Sequence, residues 1–228
     1  MIRRVRPFPL FVLTVLLTAT APLVPAAAQH GDHGHDDDAT IQHKFEKADR
    51  WAKRFEDPER DAWQLPDRVV STLVTREDMI VADIGSATGY FPVRFARACP
   101  SGLVLGADIE PEMVYYLNDR ARTEGLSNLV SILAAPEDPH LPQPVDLVFI
   151  CNTYHHIDGR IDYFRRLREQ LNPGAQIAVV DYRLASEKGP PHKLAPEKVE
   201  EEMAEAGYEM AERFTFLPEQ YFLVFELK

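Results

Sequence analysis

From Thr40 onward, two spacings of apolar residues alternate along the chain, and they predict two kinds of element. Phe45, Ala48, Ala52 and Phe55 recur at helical spacing with Trp51 beside them, and Asp57-Pro58 closes that helix. A second helix is expected near Asp67 to Val74. Beyond it, short apolar runs of strand length take turns with amphipathic stretches. Strands are expected over Ile80 to Ile84, Leu103 to Ala107, Leu129 to Leu133, Val145 to Cys151 and Ala175 to Asp181. Helices are expected over Tyr90 to Ala98, Glu112 to Thr123 and Ile161 to Leu171, the last stopped by the turn Asn172-Pro173-Gly174. A long loop then runs to Ala195, a helix from Pro196 ends at Gly207, and strands follow over Tyr208 to Phe214 and Tyr221 to Leu227. Strands apolar on both faces and alternating with helices imply an α/β fold, with a mostly parallel sheet covered on both sides. The last two strands, joined by a short loop containing Pro218, read as an antiparallel ending.

Upstream of this pattern the chain changes character. Arg3, Arg4 and Arg6 precede an apolar stretch from Phe8 to Val24, and Ala26-Ala27-Ala28 places small residues just before Gln29. Residues 1–28 are therefore expected to be a cleaved export signal, leaving an exported, periplasmic or secreted domain with no stable membrane anchor. Residues 29–40 follow as a linker rich in His and Asp, too polar to bury itself. Its imidazoles, His30, His33 and His35, are candidate ligands for weak divalent-metal binding, and the other reading of the tract is a plain acidic linker. Residues 41–66 are expected to form a helical cap ahead of the main domain, 67–228.

Charge narrows the partners. Without the first 28 residues the chain holds 22 basic and 36 acidic side chains, a net charge of −14. Such a balance repels nucleic-acid backbones and anionic lipid, so a small-molecule partner is expected. With two cysteines, Cys99 and Cys151, both in apolar surroundings, neither a disulfide scaffold nor a Cys-based zinc site is expected. Nothing in the sequence sets the oligomeric state.

In a sheet of this kind a ligand belongs at the carboxyl ends of the strands, in the loops entering the helices. The first such segment reads Val81-Ala82-Asp83-Ile84-Gly85-Ser86-Ala87-Thr88-Gly89-Tyr90, in which glycine permits close backbone approach and the next helix offers free N–H groups. A dinucleotide fingerprint would require glycine where Pro92 stands, which counts against a nicotinamide cofactor. The next strand ends in Gly106-Ala107-Asp108-Ile109, placing a carboxylate where it can accept from two ribose hydroxyls.

Taken together with VDLVFICNTYHHI, LNPGAQIAVVDY and the closing strand pair, these segments resemble the class I S-adenosylmethionine-dependent methyltransferases from about Val69 to Leu227. The lead-in FEKADRWAKRFEDPERDAWQLPDRV with NTYHHI more narrowly resembles a signal-bearing bacterial group of such enzymes. The resemblance implies a Rossmann-like, doubly wound, seven-stranded sheet with an antiparallel last strand. It also implies S-adenosyl-L-methionine as cofactor. Asp83, Gly85, Ala87 and Gly89 would then surround the methionine end, Asp108 would hold the ribose, Ile109 would pack on adenine, and Asn152 would border the transferred methyl. Two positions depart from the family pattern: Ala87 stands where a second glycine is usual, and Ala135 where an aspartate commonly meets the adenine amino group. Glu137 or Asp138 could substitute for the latter, within a loop restricted by Pro136 and Pro139. The expectation is a cofactor affinity below the family norm.

Methyl transfer asks the protein mainly for alignment and desolvation, and for a base only when the acceptor carries a proton. Candidate bases are His155, His156 and Asp181, with His43 a further one if the first helix folds over the site. At least one ring of Tyr154-His155-His156 is expected to pack on the following helix. Tyr90, Trp51 and Trp63 are candidate pocket walls or core residues, and the loop Arg183 to Ala195, with Pro190-Pro191-His192, is either a substrate cap or an exposed connection. Three functions stay open at this point: an exported methyltransferase acting on a small acceptor, a pocket that binds or senses without turnover, and a secreted metal-binding protein led by its His-Asp tract.

Overall fold

The computed structural model describes residues 48–228; the expected export signal, the His-Asp tract with His30, His33 and His35, and His43 lie outside the described residues. Three helices come first, α1 (Ala48–Phe55), α2 (Glu59–Gln64) and α3 (Pro66–Leu73). Then follow β1 (Ile80–Ile84), α4 (Pro92–Ala98), β2 (Leu103–Asp108), α5 (Pro111–Thr123), β3 (Leu129–Leu133) and β4 (Val145–Cys151). The chain continues through a short 3₁₀ turn (Tyr154–His156), α6 (Arg160–Leu167), β5 (Leu171–Tyr182), α7 (Pro196–Ala206), β6 (Tyr208–Phe214) and β7 (Gln220–Leu227). The seven strands form one sheet in the order β3-β2-β1-β4-β5-β7-β6. The first five are parallel, and β7 runs antiparallel to both of its neighbours. This is the Rossmann-like, doubly wound sheet expected from the alternating pattern.

Apolar content on both faces of each central strand explains the layers. Val81, Leu147, Phe149 and Ala178 face the side covered by α3, α4 and α5, whereas Ala82, Val148, Ile150 and Ile177 face α6 and α7. Each fully buried side chain of this kind is worth about 1.5–3 kcal/mol, and a one-residue slip would exchange the two sets. The register is therefore held from both sides at once. The outer strand β6 carries Glu209, Glu212 and Arg213, charges that discourage pairing with another chain at that edge. No helix among the described residues is long and apolar enough to cross a membrane.

Where boundaries differ from expectation, proline is the usual reason. α3, α4 and α5 open at Pro66, Pro92 and Pro111, not at Asp67, Tyr90 and Glu112. Proline at the first turn sacrifices no intrahelical bond and starts with the right φ. The turn Asn172-Pro173-Gly174 does not separate two elements: it is a bulge within β5, where the partner of Val145 is Leu171 but that of Leu147 is Gln176. α6 is correspondingly shorter than expected and ends in a 3₁₀ turn, Arg168–Gln170. Gly207 stops α7 at φ 99°, as its position suggested.

Candidate functional site

Strand order reverses between β1 and β4, and the candidate residues gather at the carboxyl ends there. Asp83 stands one residue before the end of β1, beside the glycine loop; Asp108 ends the adjacent β2. Both carboxylates are buried. Burial raises the Asp83 pKa well above its ordinary 3.8, the charge of Asp108 adds to this, and the Arg60 guanidinium of α2 opposes it. Asp108 is also raised, foremost by burial, against the N–H groups it accepts from. Its Oδ2 accepts from the Ala87 N–H at 2.8 Å and its Oδ1 from the Glu110 N–H at 3.0 Å. Each oxygen keeps a second lone pair, so the carboxylate can take one hydroxyl on either oxygen, which is what a ribose diol presents.

The glycine loop turns on left-handed residues. Gly85 has φ 75°, and Ala87, where the family pattern would have glycine, is held at φ 45°. An L residue there costs roughly 1–2 kcal/mol, while glycine carries an extra entropy cost of about 0.5–1 kcal/mol. Ala87→Gly is therefore expected to stabilise the fold by about 0.5–1 kcal/mol, read as a rise of a few degrees in Tm. A fall in Tm on thermal unfolding would show that the methyl is accommodated without strain.

Sequence reasoning passed over Ser86. Its hydroxyl is buried between Gly85 and Ala87 with no hydrogen-bond partner among the described residues. Such a group is costly unless a ligand satisfies it. The available signal was a hydroxyl placed inside the glycine loop. Leu133, the register partner of Asp108, was passed over too. It is 55% exposed and Ile109 is 51% exposed, so two apolar side chains border the acid at neighbouring strand ends, where a flat base could pack.

The lead-in helices close over the loop from the other side. The Thr88 hydroxyl donates to Glu56 at 2.8 Å, and Arg120 of α5 donates to both Glu56 and the Thr88 carbonyl. Tyr90 is buried, its hydroxyl donates to Asp61, and its ring centre lies 3.8 Å from the guanidinium of Arg60 and 4.2 Å from that of Arg94. Trp51 stacks on Phe55. Trp63 lies beside Tyr182 at the end of β5.

Across the reversal point, β4 and β5 contribute the rest. Asn152 sits at φ 57°, a conformation asparagine tolerates, and its Oδ1 accepts from Gln220, which accepts from Gln64 of α2. Its amide is thereby aimed by β7 and α2. Gln64 also donates to the Cys151 sulfur; burial pushes that thiol up to about 12, so it stays protonated and packs. Tyr154 is the ring of the Tyr-His-His segment that packs on the next helix, stacked on Phe164 and donating to Glu202. His155 is buried, and its Nδ1 donates to Asp181 Oδ2 at 2.7 Å. The loop after β5 folds inward: Gly189 lies against the Tyr182 ring, Lys188 over Trp63, and His192 beside His155 and His156. Glu137 lies in the turn after β3. Its carbonyl accepts from Arg166 near the end of α6 and its side chain is exposed, while Asp138 accepts from His140 and Gln170.

This sheet order, with a glycine loop and two buried acids at the reversal, is the fold found in class I S-adenosylmethionine-dependent methyltransferases. Residues 81–174 match the family model described as a methyltransferase domain. The chain is similar to the 27-O-demethylrifamycin SV methyltransferase of Amycolatopsis mediterranei (29% identical, 53% of this chain and 45% of that protein). It is also similar to the erythromycin 3''-O-methyltransferase of Saccharopolyspora erythraea (24% identical, 72% and 55%). The chain thus spans about half the length of the curated relatives it matches. Among solved structures, a SAM dependent methyltransferase from Aquifex aeolicus superimposes with a TM-score of 0.73 at 22% identity, covering 80% of this chain and 99% of that one. The magnesium protoporphyrin IX methyltransferase from Synechocystis PCC 6803 with bound SAH gives 0.62 at 17% identity, covering 81% and 95%.

S-adenosylmethionine is the cofactor of this class, and the residues present fit it. Asp108 has spare acceptor capacity for the ribose, Ile109 and Leu133 offer an apolar face for adenine, and the orphaned Ser86 hydroxyl with Asp83 can serve the methionine end.

Proposed function

We propose that the domain transfers a methyl group from S-adenosylmethionine to a hydroxyl group of a small molecule. The observation that carries this reading is Asp108, buried at the tip of β2, fixed by two N–H groups and still able to accept from a ribose. The names of the two curated relatives, both methyltransferases and one an O-methyltransferase, support a hydroxyl acceptor, and the acidic surface favours a small molecule over a polyanion.

The cofactor supplies an electrophilic methyl; the chain supplies alignment, exclusion of water and a place for the acceptor's proton. His155 takes that proton on Nε2, while Asp181 holds Nδ1–H and steadies the imidazolium that forms. Asn152 and the loop ending at His192 bound the acceptor side. Calorimetric titration of the full chain with S-adenosylmethionine and its demethylated product tests the pocket, and methyl transfer to a panel of phenols and hydroxylated small molecules tests turnover. If neither ligand binds, the reading fails. His155→Gln is expected to leave cofactor affinity unchanged and lower turnover by about 100-fold, partly recovered as rising pH ionises the acceptor itself. Unchanged turnover would remove the base from this scheme.

A second reading, a pocket that binds the cofactor without turnover, draws on Ala87 at positive φ and Ala135 in place of an acid. Methylated product from any acceptor would eliminate it. In the proposed setting the domain works outside the cytoplasm, exported by residues 1–28. Cell fractionation should recover a chain beginning at Gln29 in the periplasm or medium; a full-length cytoplasmic chain would refute export.

A further inference from the structure

We infer that His155, His156 and His192 form a binding site for one divalent transition-metal ion of the zinc, cobalt or nickel type. One ring nitrogen of each lies within 4.8 Å of one of each of the others. The ring centroids are 4.1 Å apart for His155 and His156, 5.8 Å for His155 and His192, and 6.3 Å for His156 and His192. The three come from two separate segments, the 3₁₀ turn after β4 and the loop after β5, so neighbourhood in the chain does not account for their meeting.

Two details distinguish the cluster from three rings that merely pack. Both nitrogens of His192 are buried and lack any hydrogen-bond partner among the described residues, although the ring is carried on a loop with ample polar groups. A buried imidazole left in that state needs an acceptor, a donor or an ion to repay its lost hydration. His155, for its part, donates Nδ1–H to the buried Asp181, which fixes the tautomer with Nε2 bare. A carboxylate behind an imidazole is the arrangement that orients metal-binding histidines and raises their basicity. Three neutral nitrogens suit borderline ions better than calcium or magnesium, and they leave a fourth position open to water or an added ligand.

The loop is held in place for this role. A side chain on Gly189 would collide with the Tyr182 ring, and the Lys188 ammonium lies 5.3 Å from the centre of the Trp63 ring. Ligands on a tetrahedral shell of about 2.1 Å radius stand about 3.4 Å apart, so the three rings draw together to hold one ion. Ion and proton compete for Nε2 of His155, so occupancy by metal displaces the proton-accepting role proposed above. The site itself stands on geometry independent of the cofactor pocket.

The test uses the full chain carrying His30→Ala, His33→Ala and His35→Ala, so that the tract cannot supply ligands. Titration with cobalt(II) followed by visible absorption, and with zinc(II) in competition, should show a single equivalent bound. His192→Ala and His156→Ala should each weaken it by about 100-fold, and Asp181→Asn by about tenfold. His192→Ala should bind S-adenosylmethionine as the parent does, which also shows that it is folded; His192→Gln serves as the second variant. No binding to the tract-free chain, or binding that the variants leave unchanged, overturns the proposal. S-adenosylmethionine titration of the same samples reports separately on the cofactor pocket, so either reading can fail without the other.

Discussion

Asp108→Ala is expected to weaken S-adenosylmethionine binding by about three orders of magnitude. A hydrogen bond to a charged group is worth about 1.5–3 kcal/mol, and the carboxylate has one free acceptor site on each oxygen for the ribose diol. Losing two such bonds removes about 4 kcal/mol, close to 1000-fold in Kd. The substitution also strands the Ala87 and Glu110 N–H groups, so Tm should drop by a few degrees, and calorimetry must be run well below it. Asp108→Asn, which keeps one acceptor, should fall between the two. Burial holds the Asp108 pKa above its ordinary 3.8, so protonation begins at higher pH than for an exposed carboxylate. Wild-type affinity should therefore decline on acidification sooner than an exposed acid would allow. A Kd for Asp108→Ala within threefold of wild type would mean that the ribose lies elsewhere.

Gly85→Ala should cost the fold about 2–5 kcal/mol, a large part of a typical domain's stability. Gly85 has φ 75°, which alone penalises any L side chain. A Cβ there would in addition stand 2.2 Å from Thr153 Oγ1, 2.4 Å from its Cγ2 and 2.8 Å from its Cβ. The last of these atoms cannot swing away. Thermal unfolding should show a Tm lower by about 10 °C, and cofactor binding should be lost with the loop geometry. Adding Thr153→Ala removes two of the three collisions and should restore part of the loss, leaving the penalty of φ. If Gly85→Ala melts with the wild type, the loop does not approach Thr153 as closely as described.

The architecture was legible because its signal is local. Val81, Ile150 and Val179 declare two-sided burial from their own neighbourhoods, and an acid at the tip of each of the first two strands needed only the strand ends to be located. Elements that depend on distant parts of the chain were not legible. The bulge at residues 172–175 is set by pairing with β4, so Asn172-Pro173-Gly174 reads as an ordinary turn until the register is known. Glu137 stands near enough to the third strand to suggest a contact with adenine, whereas the hold of Arg166 of α6 on its carbonyl spans 29 residues and has no local signal. His192 joins His155 and His156 through packing of Gly189 on Tyr182 and Lys188 on Trp63, contacts without periodicity to announce them. The Ser86 orphan shows only once every neighbouring donor and acceptor has been placed.

Glu56 gives the lead-in a thermodynamic hold on the pocket. The same carboxylate satisfies the Thr88 hydroxyl of the glycine loop and Arg120 of α5, so detaching the end of α1 leaves both without it. A ligand that steadies the glycine loop must then steady α1 by the same free energy, because the coupling is reciprocal. Cofactor affinity can accordingly be tuned at Glu56, through a helix outside the sheet and without altering Asp83 or Asp108.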